Sequence, residues 1–332
     1  MRDYLQLIRY KNLLIIAFLQ WTMHTCVITP VLLPFKVAPA TPDWAFWLLV
    51  LSSVLIAAGG YIVNDYFDTK IDEINRPDKV IVGKSVSKKT AMLIYQVFTG
   101  IGLCIGIGLA VWVQNVTFGF LFVAITGLLW FYSASYKRQF LVGNLIVAVS
   151  TALVPFIVGF MEVAFLHRTY GELLDFTPLA PTVFAWINGF ALFAFFVTFI
   201  REIIKDMEDV EGDREVECRT MPIVWGMSRS KWVVYGLVAI VIAAAGFCVS
   251  KIHFVNDSFT VRYYIVGVIA PFVYFIYLVI TAKQKQALHQ AAGFLKFIMI
   301  IGICYSFVFY FLQARAYGFP LFDLFMISQP AV

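Results

Sequence analysis

The chain reads as a series of apolar runs, each long enough to cross a bilayer, separated by short polar stretches. A helix spanning the hydrocarbon core needs about 20 predominantly apolar residues. Runs of that kind recur at about 12–34, 44–66, 89–113, 117–135, 141–162, 181–205, 231–250, 262–282 and 294–313. Turn and breaker residues interrupt them, in "PFKVAPATPD", "NRPDK", "YKRQ", "LHRTYGELLDFTP", "GMSRSK" and "KIHFVNDS". The pattern predicts an all-α integral membrane protein of about nine transmembrane helices, with no linker or second domain in its 332 residues. The first apolar run is too long for a signal peptide and continues the pattern of the later ones.

Composition agrees: 61% of the residues are hydrophobic and only 14% are charged, too apolar for a soluble domain of this size. Charge adds an orientation. Arg2, Arg9, Lys11, six cations in 67–90, Lys137, Arg138, six in 201–231, Lys283 and Lys285 all fall on one side of the nine runs. The positive-inside rule puts that side and the N-terminus in the cytoplasm and the C-terminus outside, in the cell (inner) membrane. The net charge of +5 reflects this asymmetry. Anionic lipid headgroups answer it, so no nucleic acid is implied, and no obligate protein partner is evident. The five cysteines are isolated, without a CxxC pair, and read as filler within the spans. The four histidines are scattered and take no role.

Two acidic segments stand out because carboxylates are expensive beside membrane helices and default to a functional reading. The first, "NDYFDTKIDEINRPDK", covers 64–79 at the end of the second run; the second, "REIIKDMEDVEGDRE", covers 201–215 at the end of the sixth. Asn64, Asp68 and Asp72 are four apart and drift only about 80° around a helix, with Asp65 beside Asp72. Glu202, Asp206, Asp209 and Asp213 occupy an arc of about 60°. Each segment is therefore predicted to form an acidic helical stripe. Aligned carboxylates repel unless a cation lies between them, and hard oxygen donors favour Mg²⁺ or Ca²⁺. Two such stripes could hold two ions and clamp a diphosphate, with Arg76, Lys79, Lys84, Arg201, Lys205 and Arg214 adding positive field. Solvated acidic and basic caps are the plain alternative, but two segments with this spacing on one side argue against it.

These residues carry a resemblance. "NDYFDTKID" resembles the NDxxDxxxD motif of the UbiA superfamily of intramembrane prenyltransferases, and "INRP" continues it. "KDMEDVEGD" is similar to the second motif, DxxDxxxD, with Asp206, Asp209 and Asp213 at its acidic positions. "WFYSASYKR", 130–138, resembles the segment bearing Tyr and Lys after the family's fourth span, with either Tyr132 or Tyr136 in the tyrosine position. Where many relatives carry a Pro-rich stretch after "NRP", this chain reads "DKVIVGKS".

The resemblance implies helices bundled around a central cavity open to the cytoplasmic side, with cap loops at about 67–90 and 206–230. It implies transfer of a polyprenyl group from a prenyl diphosphate to a lipophilic acceptor, with Mg²⁺, two ions bridging the diphosphate. On that basis Asn64, Asp68 and Asp72 hold one metal and Asp206, Asp209 and Asp213 the other, with Asp65 and Glu202 behind them. Lys137, with Tyr132 or Tyr136, is the candidate for contacting the diphosphate or orienting the acceptor; Arg76, Lys79, Lys205 and Arg214 are further diphosphate candidates. The first motif most resembles members that alkylate geranylgeranylglyceryl phosphate, with an aromatic quinone precursor as the alternative acceptor. A cation transporter is the rival class, but such sites lie near the membrane midplane rather than at cytoplasmic helix ends.

Overall fold

The computed structural model describes residues 2–75, 77, 80–251, 258–322 and 324–326. Among them, nine helical runs are long and apolar enough to cross a membrane: Tyr10–Phe35, Asp43–Phe67, Lys88–Val113, Val116–Ala134, Val142–Phe176, Leu179–Glu208, Met227–Lys251, Ser258–Thr281 and Lys285–Tyr317. The expected number and order hold. The boundaries move where helix and hydropathy part company. The fifth run was expected to end near 162, but its α-helix continues to Tyr170 and passes into a 3₁₀ stretch, Gly171–Phe176. "VAFLHRTY" holds no breaker, and the change comes at Gly171, whose φ of 59° suits a residue without a side chain. The last helix likewise starts at Lys285, because "KQALHQAA" is polar yet helix-forming.

In chain order the α-helices are α1 (Arg2–Leu7), α2 (Tyr10–Thr22), α3 (Thr29–Leu32), α4 (Asp43–Phe67), α5 (Thr69–Asn75), α6 (Lys88–Val113), α7 (Val116–Ala134), α8 (Val142–Tyr170), α9 (Leu179–Glu208), α10 (Val210–Glu215), α11 (Met221–Trp225), α12 (Met227–Lys251), α13 (Ser258–Tyr263), α14 (Ala270–Thr281) and α15 (Lys285–Tyr317). The chain gathers into two compact units. One comprises Met1–Phe18, Thr41–Ser150 and Asp206–Ser230; the other comprises Leu19–Ala40, Thr151–Lys205 and Lys231–Val332.

In the first unit α4 packs on α6 and α7. Small residues set that approach, as expected where lipid supplies no hydrophobic drive between helices. A Cβ built on Gly59 of α4 would lie 2.2 Å from Thr99 Oγ1 of α6. One helical turn or two further along, the Ser52 hydroxyl donates to the Gly102 carbonyl at 2.6 Å. Below these contacts a cluster of Leu7, Ile62, Val82, Val86 and Ala91 joins α1, α4 and α6 to the 80–87 connection. That connection is a tight turn in which Gly83 N–H donates to Val86 O at 2.8 Å, and two buried valines, Val82 and Val86, anchor it.

The second unit contains two π-helical segments, Met23–Ile28 and Tyr264–Ile269. Each lies just ahead of a proline, Pro30 or Pro271. Proline has no N–H to donate and its ring collides with the carbonyl four residues back. The wider turn, with Thr29 N–H on His24 O and Ala270 N–H on Ile265 O, lets each span continue through the obstruction. Aromatic rings fill the remaining space, among them Trp186 and Phe309 with centroids 4.3 Å apart.

The Gly59 contact yields an expectation. Gly59→Ala overpacks the α4–α6 interface and costs about 1–3 kcal/mol. Adding Thr99→Ala removes the colliding hydroxyl and recovers most of the loss, whereas Gly100→Ala, with open space around it, costs nothing. Thermal unfolding of the purified variants in detergent checks all three.

Candidate active site

The first unit collects both acidic segments, although about 140 residues separate them in sequence: Asn64, Asp65, Asp68 and Asp72 join Asp206, Asp209 and Asp213. The expected straight stripes are corrected in one respect. Each helix breaks at its middle aspartate. α4 ends at Phe67, Asp68 takes φ −88° and ψ 0°, and α5 resumes at Thr69. α9 ends at Glu208, Asp209 takes φ −99° and ψ 9°, and α10 resumes at Val210. Both residues lie in the sparsely populated bridge region, where active-site residues are frequent. The main chain stays hydrogen-bonded through each break, Asp72 N–H on Asp68 O at 2.8 Å and Asp213 N–H on Asp209 O at 3.0 Å. The re-aimed pieces, α5 and α10, pack against each other.

Each of three acids in this unit is gripped by a different donor. Arg9 Nη2 pairs with Asp65 Oδ1 at 2.8 Å, and its guanidinium lies 4.9 Å from the Tyr61 ring centroid. Burial alone would lower the Arg9 pKa, but Asp65 and Tyr61 outweigh it and hold it above its ordinary value. Lys137, from the 3₁₀ turn Tyr136–Arg138, places its ammonium on Asp68. Asn144 Nδ2, at the start of α8, donates to Asp206 Oδ2 at 2.8 Å. Asp213, only 9% exposed, has its carboxyl pushed up to about 7. Burial is the largest cause, followed by repulsion from Asp209 and then Asp68, while the Thr220 hydroxyl and Lys137 pull the other way. The Cys218 thiol is raised to about 11, first by burial and next by Asp213. Asp68, Asp209, Asp213 and Lys137 thus share one electrostatic neighbourhood.

Other predicted residues fall elsewhere. Glu202, in the second unit, is buried and accepts from Arg201 Nη1 and Lys205 Nζ, each at 2.8 Å. It braces two cations there. Arg214 is exposed. Arg76 and Lys79 lie outside the described residues. Of the two tyrosines, Tyr132 acts electrostatically on Arg9, whereas the Tyr136 ring rests 6.0 Å from that of the exposed Phe131. Sequence reasoning missed Arg9, Asn144 and Thr220, whose partners are 56, 62 and 7 residues away. No local spacing signals the first two.

The donor chemistry suits a hard cation, since every grouped acceptor is a carboxylate or amide oxygen. Among the described residues, no three His, Cys, Asp or Glu side chains already stand in metal-ligating geometry. The Asp68 carboxylate is paired with the Lys137 ammonium.

Comparison with known proteins gives a concordant answer. The model of the UbiA prenyltransferase family matches residues 27–301. A digeranylgeranylglyceryl phosphate synthase of Thermococcus kodakarensis is 31% identical over 292 residues, which cover 86% of this chain and 95% of the relative. One from Sulfolobus acidocaldarius is 28% identical over 302 residues, 90% of this chain and 94% of the relative. A solved UbiA homologue from Archaeoglobus fulgidus, bound to DMAPP and Mg²⁺, superposes with a TM-score of 0.52 at 16% identity. That superposition covers 90% of this chain and 97% of the homologue, and it speaks for the fold. The chain belongs to the UbiA prenyltransferase family and is an integral membrane prenyltransferase.

Proposed function

We propose that this prenyltransferase moves a geranylgeranyl group from its diphosphate to the free hydroxyl of geranylgeranylglyceryl phosphate, in a reaction that requires Mg²⁺. The observation that carries the acceptor is the pair of digeranylgeranylglyceryl phosphate synthases aligned over 94–95% of their own length. An acceptor with its own phosphate also suits Lys84, Lys137 and Arg138 on the charged side of the chain. Mg²⁺ is supported by the all-oxygen donor set and by the homologue carrying that ion.

In this reading Asn64, Asp68 and Asp72 serve one ion and Asp206, Asp209 and Asp213 the other. Asp65 stands behind the first set, because its carboxylate is committed to Arg9. When bound, Mg²⁺ supplies the charge that stabilises the departing diphosphate. The rest of the work belongs to the chain. Lys137, released from Asp68, donates to the diphosphate, and Tyr132 lines the approach. Arg214 contributes positive potential, as do Arg76 and Lys79, which lie outside the described residues. The aromatic residues of the spans hold the prenyl chain away from water and stabilise developing allylic charge by about 0.5–2 kcal/mol per well-placed ring. Prenyl transfer forms the ether C–O bond as the allylic C–O bond breaks; diphosphate leaves, and the hydroxyl proton passes to the departing diphosphate or to solvent. The charged side of the molecule, with this site, faces the cytoplasm.

The decisive assay offers purified protein radiolabelled geranylgeranyl diphosphate, Mg²⁺ and each acceptor in turn. Label enters the ether lipid, and Asp68→Asn or Asp213→Asn lowers turnover by at least about 100-fold, no less than losing a group behind a metal ligand can cost. Label found only on a hydroxybenzoate or naphthoate ring would replace the acceptor and leave the transferase reading intact. The Asp213 pKa of about 7 sets a pH dependence for the metal-free protein. Because it lies above the ordinary carboxylate value, its contribution to stability is complete below about pH 4 and is lost as pH rises through 7. The metal-free melting temperature therefore falls from pH 5 to pH 8, Mg²⁺ restores it at pH 8, and Asp213→Asn flattens the profile. For orientation, a cysteine placed at Ser85 resists an impermeant thiol reagent added from outside; labelling there reverses the assignment.

A further inference from the structure

The structure assigns the segment 136–144 as the clamp that holds both acidic segments in register, with Asn144 as the positioning residue for the second one. This rests on the metal-binding reading above. The segment reaches both sides of the site within nine residues. Lys137 holds Asp68 of the first acidic segment. Asn144, 7% exposed, donates from Nδ2 to Asp206 Oδ2 of the second. Between them the Arg138 carbonyl accepts from Arg219 N–H at 2.8 Å, and the Phe140 ring lies 4.9 Å from that of Trp225. The chain following the second acidic segment is thereby fastened to the same clamp.

The clamp is tight by construction. Leu141 takes a φ of 61°, a region that side chains with a Cβ rarely adopt, and Val142 N–H bonds back to Phe140 O at 2.8 Å. A Cβ on Gly143 would lie 2.8 Å from Lys137 Cα and 3.3 Å from the Tyr136 carbonyl oxygen. Those neighbours are backbone and cannot swing away. Glycine at 143 is what lets the first turn of α8 press against the Lys137 turn, bringing Lys137 and Asn144 to bear together.

The choice of donor carries meaning. Asp65 and Asp68 are met by cations that cancel their charge. Asp206 accepts from a neutral amide, which orients the carboxylate through one oxygen. Donors behind a ligand typically matter by about 10–100-fold in metal affinity.

The test measures Mn²⁺ binding by electron paramagnetic resonance on the full-length protein in detergent, with saturating geranylgeranyl diphosphate and no acceptor. Asn144→Leu keeps the side-chain size and removes the donor; it weakens Mn²⁺ binding by about tenfold or more and leaves the KM for the acceptor unchanged. Asn144→Ser, well tolerated in a first helical turn, falls short of Asp206 and weakens binding in the same direction, so it decides the matter if the leucine variant does not fold. Asp206→Asn serves as reference. Wild-type affinity in both Asn144 variants, with loss in Asp206→Asn, overturns the positioning role alone. Wild-type affinity in all three overturns the metal reading on which it rests.

Discussion

Mutual repulsion among carboxylates is the constraint around which the first unit is organised. Two like charges about 4 Å apart repel by about 4 kcal/mol at the effective dielectric of a protein surface, more than the roughly 1 kcal/mol of an ordinary hydrogen bond. A fold that gathers Asp68, Asp209 and Asp213 within one another's field must supply compensation. Lys137 and Thr220 supply part, and a proton on Asp213 the remainder, as its elevated pKa records. In the proposed reading a bound divalent cation would relieve the stress that the protein alone only partly relieves.

The backbone answers the same constraint. A straight helix carrying acids at four-residue spacing would stack them on one face of one rod. Breaking at Asp68 and at Asp209 turns each rod's end into a short separate helix, and α5 then packs on α10. The two breaks are alike in dihedral angles although their sequences share little beyond the acids. Similar local geometry at the middle carboxylate of each segment implies that placement of this residue, rather than helix continuity, is what the fold protects.

Elsewhere the membrane sets the terms. Apolar surface gains nothing by leaving lipid for protein, so the α4–α6 contact depends on the absence of side-chain bulk at Gly59 and on a hydroxyl-to-carbonyl bond at Ser52. In the second unit, two of the prolines within the spans, Pro30 and Pro271, are absorbed by π-helical turns rather than by a break in the helix. Both devices keep backbone polar groups satisfied at depths where water is scarce.

The sequence by itself determined the membrane class, the order of the nine spans and the two acidic segments. Each is written in local periodicity and hydropathy, which need no partner to be read. It also carried enough motif to identify the family, and it singled out Lys137 before any contact was known. What it could not determine is anything that depends on residues far apart in the chain. The extension of α8 to Tyr170 followed helix propensity where hydropathy had already faded. Only tertiary structure decided that Arg9 would hold Asp65, that Lys137 would hold Asp68 and that Asn144 would hold Asp206, across 56, 69 and 62 residues. The physical reason is range: helical periodicity speaks for about one turn of neighbours, whereas a charge or a hydrogen-bond donor is satisfied by whichever group the packing of distant helices brings within about 3 Å.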